Sequence, residues 1–310
     1  MINNFSLILL IVTLCSGIIW VMNFFKWSEK KAINISEEIK IIPAKSFEKS
    51  TDFISSIFPL LLVVFCFRSF LYEPFQIPSG SMMPTLLVGD FILVKKFSYA
   101  IKNPITLNTL IKISKPKRGD IAVFKYPNNP KINYIKRIVS MPGDRITYNS
   151  YSKTIQINPE CGSKKKCNNL LQITYTNIEP SSFIQIFNKN NNSFYKLSKE
   201  KEDVNVGFHL NTRKETIGKL THDILLTTET VDQTDLYYQQ DDQPLGSWIV
   251  PEGQYFVMGD NRDNSSDSRY WGFVPEEYFI GKAVCIWMSL KKQEGMWPTG
   301  IRSGRFGIIK

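Results

Sequence analysis

Twenty-one residues near the start of the chain, Phe5 to Phe25, carry no charged side chain. At about 1.5 Å of rise per residue, a helix of that length crosses roughly 30 Å of hydrocarbon, and a helix satisfies its own backbone there. The run therefore predicts a transmembrane helix over about 5–25. A cleaved signal peptide fits less well, because MINN supplies no positive n-region and no Ala-x-Ala site follows. A second span is predicted over about 53–71, where Pro59 can kink the helix and Arg68 can snorkel from the last turn. The intervening segment, 26–52, holds Lys26, Lys30, Lys31, Lys40, Lys45 and Lys49, whereas the first four residues hold no Lys or Arg. The positive-inside rule assigns this loop to the cytoplasm and everything beyond about Leu71 to the opposite side.

That topology decides how to read the charge. A formal net charge of +10 would suit either nucleic acid or an anionic membrane surface. A domain held outside the cytoplasm meets neither DNA nor cytosolic RNA, so the lipid bilayer is the expected partner and nucleic acid is not. His209 and His222 are the only histidines, and no spacing among the five cysteines resembles a zinc site, so neither metal nor other cofactor is expected.

Beyond Phe75 no long segment has a 3.6-residue apolar period. Short runs rich in Ile, Val, Phe and Tyr alternate with Gly, Pro, Asn and Asp. Strands are predicted at 90–95, 120–126, 134–140, 254–258 and 282–288. The expected fold is mainly β: an antiparallel-sheet domain over 76–310, anchored by two N-terminal transmembrane α-helices within 1–75. Residues of about 151–250 are rich in Asn, Lys, Thr and Ser and read as an inserted subdomain. Cys161 and Cys167 lie there with five residues between them, compatible with a local bridge or with two free thiols.

Ser79, Gly80 and Ser81 stand between Pro78 and Pro84 immediately after the second span. Prolines on both sides limit the loop's freedom, and Gly80 permits unusual dihedrals, so a serine hydroxyl can be held in one direction. A serine nucleophile needs a base. Both histidines lie in the polar insertion, which leaves a neutral lysine as the better-supported choice. In INYIKRIVSMPGD, read as a strand, Lys136 shares a face with Ile132, Tyr134 and Ile138, and burial on that face would lower its pKa. Arg137 cannot serve, because a guanidinium stays protonated. The stretch VMGDNRDNSSDSRYWGFVP packs Asp, Asn, Ser and Arg into one loop. Arg262 and Arg269 oppose a calcium reading, and no terminal EF-hand Glu is present, so a loop that bonds internally and orients other groups fits better.

Together IPSGSMMPTL, GDFILVKKF, RGDIAVFKYP with YIKRIVSMPGD, GDNRDNSSDSRYWGFVP and KQEGMWPTG resemble, in order, the boxes of bacterial type I signal peptidase (leader peptidase), in its two-span Gram-negative form. The resemblance implies a membrane-bound serine endopeptidase, in the cell inner membrane with its catalytic domain on the periplasmic side, that removes signal peptides from secretory preproteins through a Ser-Lys dyad. It makes Ser81 the nucleophile and Lys136 the general base, and it assigns the oxyanion hole to the Ser79 hydroxyl and the Ser81 N–H. Ser265 becomes the residue that orients the lysine, and Asp267 with Arg269 a supporting ion pair. Shallow pockets for small substrate residues fall to Phe75, Ile77, Leu86, Ile92, Val123, Tyr134 and Ile135. Cys161 and Cys167 match a disulfide of close relatives. Two rivals stand beside this reading: a non-enzymatic membrane-anchored β module and a different Ser-Lys protease.

Overall fold

The computed structural model describes residues 4–33, 45–161, 169–187, 192–196, 207–227 and 233–309. The chain separates into two compact units, Met1–Glu73 with Ala100–Lys112, and Pro74–Tyr99 with Ile113–Lys310.

In the first unit, α1 (Asn4–Ile33) runs on for two turns past its apolar stretch, and α2 (Lys45–Cys66) continues into a π-helical turn, Phe67–Leu71. The segments Phe5–Phe25 and Thr51–Leu71 are long and apolar enough to cross a membrane. The two helices are antiparallel neighbours: the Arg68 guanidinium lies 3.7 Å from the centre of the Phe5 ring, the Trp20 and Phe58 rings meet at 5.5 Å tilted by 37°, and the Asn23 amide donates to Asp52 at 3.3 Å. The Phe58 ring packs on Gly17, where a Cβ would meet its Cε2 at 2.7 Å, so the missing side chain makes room for the aromatic ring.

The rest of the chain is β-rich, as the sequence predicts. It lays down β1 (Tyr72–Gln76), β2 (Asp90–Lys95), a hairpin of β3 (Ala100–Lys102) and β4 (Thr109–Lys112), and the pair β5 (Ile121–Tyr126) and β6 (Asn129–Ser140). A three-stranded sheet follows from β7 (Arg145–Asn149) and β8 (Thr154–Asn158). The insertion contributes β9 (Ile173–Tyr175), β10 (Glu179–Phe187), β11 (Asn192–Lys196), β12 (Phe208–Ile217) and β13 (Leu220–Leu226), which form their own five-stranded sheet. Then β14 (Ser247–Ile249) joins β7, while β15 (Gln254–Met258), β16 (Val274–Pro275), β17 (Phe279–Lys291), β18 (Gly300–Ile301) and β19 (Gly307–Ile308) complete a nine-stranded sheet. Its main order is β1-β2-β17-β5-β6-β15-β16, in which β17 runs antiparallel to β2 and β5, β6 to β5 and β15, and β15 to β16.

Both faces of this sheet are covered, which explains its continuous apolar runs. Along β5, Ile121 and Val123 enter one cluster while Ala122 and Phe124 enter another; along β15, Tyr255 and Val257 part from Phe256 and Met258 in the same way. Strand β6 begins at Asn129, five residues before the sequence places it. Its first half is largely exposed and carries no burial pattern, and pairing of Lys125 with Asn133 and Tyr126 with Asn129 extends it. Cys15, Cys66 and Cys285 are free thiols. Cys161 is buried, and its expected partner Cys167 lies outside the described residues.

Candidate active site

The turn that carries Ser81 is a short 3-10 helix, Gly80–Met82, capped by extended backbone at Ser79 and Met83. Buried Met82 and Met83 pin it from opposite sides, into different apolar clusters. The Gly80 N–H donates to Glu294 Oε1 at 2.8 Å. The turn's carbonyls are held as well: the Asn261 N–H donates to Ser81 O and its side-chain amide to Gly80 O, both at 3.1 Å. Ser81 is 8 % exposed.

Lys136 projects from β6, opposite Ala122 of β5. It shares its face with Tyr134 and Ile138, as the period of two requires. Its Nζ donates to Ser81 Oγ at 2.7 Å and lies 5.3 Å from the centre of the Tyr134 ring. At 4 % exposure it has almost no water to solvate a charge. Burial lowers its pKa to about 8; Asp267 and Asp260 act against that, and Arg269 adds to it. A lysine in this state is partly neutral near physiological pH and able to accept a proton.

The loop after β15 supplies the surroundings. Asp267 caps the short helix Ser268–Trp271 and receives the Arg269 guanidinium at 2.9 and 3.0 Å, with both residues wholly buried. Burial alone would raise the Asp267 carboxyl, but the charge and hydrogen bonds of Arg269 hold it below its ordinary value. Asp260 is held in the same sense by a two-pronged bond from Arg137, 2.8 Å on each side, and also accepts the Thr85 hydroxyl at 2.6 Å. Asp263 pairs with Lys153 at 2.7 Å. All three carboxylates of the loop thus answer cations of the protein itself.

Ser265 is buried beside this pair, yet its hydroxyl has no hydrogen-bond partner among the described residues, so the expected bond to Lys136 is not formed. Gly259 leaves the room in which these groups meet: a Cβ there would come within 2.2 Å of Ser265 Oγ and 2.5 Å of Ser81 O. Ser79 is exposed. Of the seven expected pocket residues, Phe75, Ile77, Leu86, Ile92, Val123 and Ile135 belong to one cluster with Met82. Tyr134 lies on the opposite face, stacked on Tyr126 at 4.5 Å, and flanks the lysine instead. Ile77, Leu86, Ile92 and Val123 are core, so of these six only Phe75 and Ile135 are partly exposed.

Sequence reasoning missed Asn261, Thr85, Glu294 and the pairing of Arg137 with Asp260. The adjacency of Arg137 to Lys136 and of Asn261 to Asp260 was a usable signal, since a buried cation beside a buried amine demands a carboxylate. Glu294 had none.

The chain matches the family described as "Signal peptidase, peptidase S26" over residues 50–288. It is 48% identical to the Signal peptidase I of Buchnera aphidicola subsp. Acyrthosiphon pisum, over 100% of both chains. Identity to the Signal peptidase I of Haemophilus influenzae is 39%, over 98% of this chain and 91% of that one. With that of Pseudomonas fluorescens it is 37%, over 99% of each.

Proposed function

Because the chain belongs to the signal peptidase family, peptidase S26, and is thus a peptidase that removes signal peptides, we propose that it works as a membrane-anchored serine endopeptidase with a Ser81-Lys136 dyad. The observation that carries this reading is the 2.7 Å contact between Lys136 Nζ and Ser81 Oγ inside a site that leaves the amine 4 % exposed.

Neutral Lys136 takes the Ser81 proton as Oγ attacks the scissile carbonyl. The resulting ammonium returns that proton to the leaving amine as the peptide bond breaks, leaving an acyl-enzyme. Lys136 then deprotonates the water that attacks the ester carbonyl, and its ammonium returns that proton to Ser81 Oγ as the acyl–Oγ bond breaks. The Ser81 N–H and the Ser79 hydroxyl stabilise the oxyanion, Ser265 steadies the lysine once substrate excludes water, and Asp267 with Arg269 holds the loop beneath it. Secretory preproteins with small residues at the first and third positions before the cut fit a shallow cluster in which Phe75 and Ile135 are partly exposed. The spans Phe5–Phe25 and Thr51–Leu71 anchor the chain in the inner membrane with the sheet domain on the periplasmic side. Trp287 and the 91 % exposed Trp297 suit contact with lipid.

Ser79→Ala is expected to slow cleavage about 10²- to 10³-fold without abolishing it, the usual effect of losing one oxyanion donor. Because the lysine must be neutral to act, kcat/KM should rise with pH through a midpoint near 8, by about tenfold between pH 7 and 9, and then level off. Both are measured by following cleavage of a radiolabelled preprotein by the full chain in detergent. A profile flat from pH 6 to 9 would remove Lys136 as the base.

A further inference from the structure

The insertion sheet touches both halves of the site. On one side β11 sets Phe194 against the nucleophile turn, so closely that a Cβ on Gly80 would lie 2.3 Å from Phe194 Cε2. Phe194 belongs to one apolar cluster with Met83, Leu87 and Val88, which follow the turn, and with Leu210 and Leu225 of the insertion. On the other side the insertion runs along the loop that follows β15. The Leu225 N–H donates to Asp260 O at 2.9 Å and the Thr227 N–H to Asp263 Oδ2 at 2.7 Å, while Gln185 and Asn264 exchange amide bonds at 2.7 and 2.6 Å.

At the centre is a charge that the loop cannot balance alone. Arg262 is 1 % exposed, and Asp260, Asp263 and Asp267 are already paired with Arg137, Lys153 and Arg269. Its partner comes from β12: Glu215, 0 % exposed, accepts Arg262 Nη1 on Oε2 at 3.0 Å and Nη2 on Oε1. The Tyr175 hydroxyl donates to the same carboxylate at 2.8 Å, and His222 Nε2 lies 3.3 Å away. Arg262 is adjacent in sequence to Asn261, which bonds the Ser81 and Gly80 carbonyls, and its own carbonyl accepts Arg269 Nη2 at 2.5 Å.

We propose that the insertion sheet is a template that seats the nucleophile turn against the loop 259–269, and that Glu215 is its positioning residue, acting on Ser81 through Arg262 and Asn261. The proposal rests on the dyad reading and goes beyond it. Displacing the loop by a fraction of an ångström moves both carbonyl anchors of the turn, and acyl transfer is sensitive to that because its reacting atoms must start in near-attack geometry.

The test uses the full chain in detergent with a preprotein substrate. Active sites are counted by labelling with an acylating β-lactam, so that kcat is expressed per competent site. Glu215→Gln keeps the shape and removes the charge. It should lower kcat per site about 10- to 100-fold, leave KM within about twofold, and persist as a deficit at pH 9, where Lys136 is mostly neutral. Arg262→Gln should do the same, and the double variant should be no worse than the worse single, since the two act as one pair. If Glu215→Gln does not accumulate folded, Glu215→Asp, which retracts the charge by one methylene, is read in its place. Normal kcat per site, a loss confined to the number of sites, or additive effects in the double variant would each overturn the template role. Ser81→Ala is run in parallel: if it still cleaves, the dyad reading fails; if it is inactive while Glu215→Gln is normal, only the template proposal fails.

Discussion

Ser81→Ala is expected to reduce kcat/KM for preprotein cleavage at least about 10⁴-fold, and Lys136→Met by a similar factor, because nucleophile and base act as one unit. The double variant should therefore be scarcely worse than either single. The two differ in stability. Ser81→Ala removes a hydroxyl from a nearly buried turn and should be close to neutral. Lys136→Met should stabilise the protein, because the fold lowers this amine from 10.5 to about 8 and so works against its charge. The folded state binds fewer protons than the unfolded chain between pH 8 and 10.5, so the penalty is present in full below about pH 8 and fades as pH rises through that window. Its size is on the order of 3 kcal/mol, an upper bound for the gain at pH 7. Thermal melting of the two full-length proteins at pH 7 and pH 10 checks this. An active Lys136→Met, or one that melts below wild type at pH 7, would contradict the account.

Asp267→Ala carries the second large effect. It strands Arg269, a wholly buried guanidinium whose carboxylate partner is Asp267, and it removes the acceptor of the Gly259 N–H, bonded at 3.0 Å. Breaking a buried pair from one side typically costs about 3–5 kcal/mol. Gly259 also faces Ser81 O, so activity should fall with stability. Asp267→Asn keeps the shape and most of the hydrogen bonds, and should fall between wild type and Asp267→Ala. The Asp267 carboxyl is held below its ordinary value of 3.8, so the stability it contributes is complete above about pH 4 and is lost as pH falls through its folded value. Melting curves between pH 3 and 7 should accordingly converge for wild type and Asp267→Asn toward the acid end; parallel curves would show that the charge of Asp267 contributes nothing.

How much of this was legible depended on whether burial coincided with apolarity. Strands 90–95 and 254–258 could be read to the residue: the first alternates buried and half-buried positions, and the second is an apolar run closed by Gly253 and Gly259. The insertion was not read as strands, because β12 buries Arg213 and Glu215 among exposed or half-buried Lys214 and Thr216, and its polar composition looks like a loop. In the site, Ser81 and Lys136 stood out through local features, a loop held between two prolines and a lysine among Ile, Tyr and Val. The resemblance expected Ser265 to bond the lysine, and its buried hydroxyl makes no hydrogen bond among the described residues.

The chain's linear order determined what each segment is: two apolar helices long enough to span a bilayer, strands with a period of two, and a serine and a lysine placed on elements that can present them. Tertiary structure alone decided which distant buried charges answer each other. The pair Asp267 and Arg269, two residues apart, is already implied by the family resemblance, whereas Arg137 with Asp260 and Arg262 with Glu215 are separated by 123 and 47 residues. Such pairings carry no periodic signature, because electrostatic compensation in a dry interior depends on distance through space and not on distance along the chain.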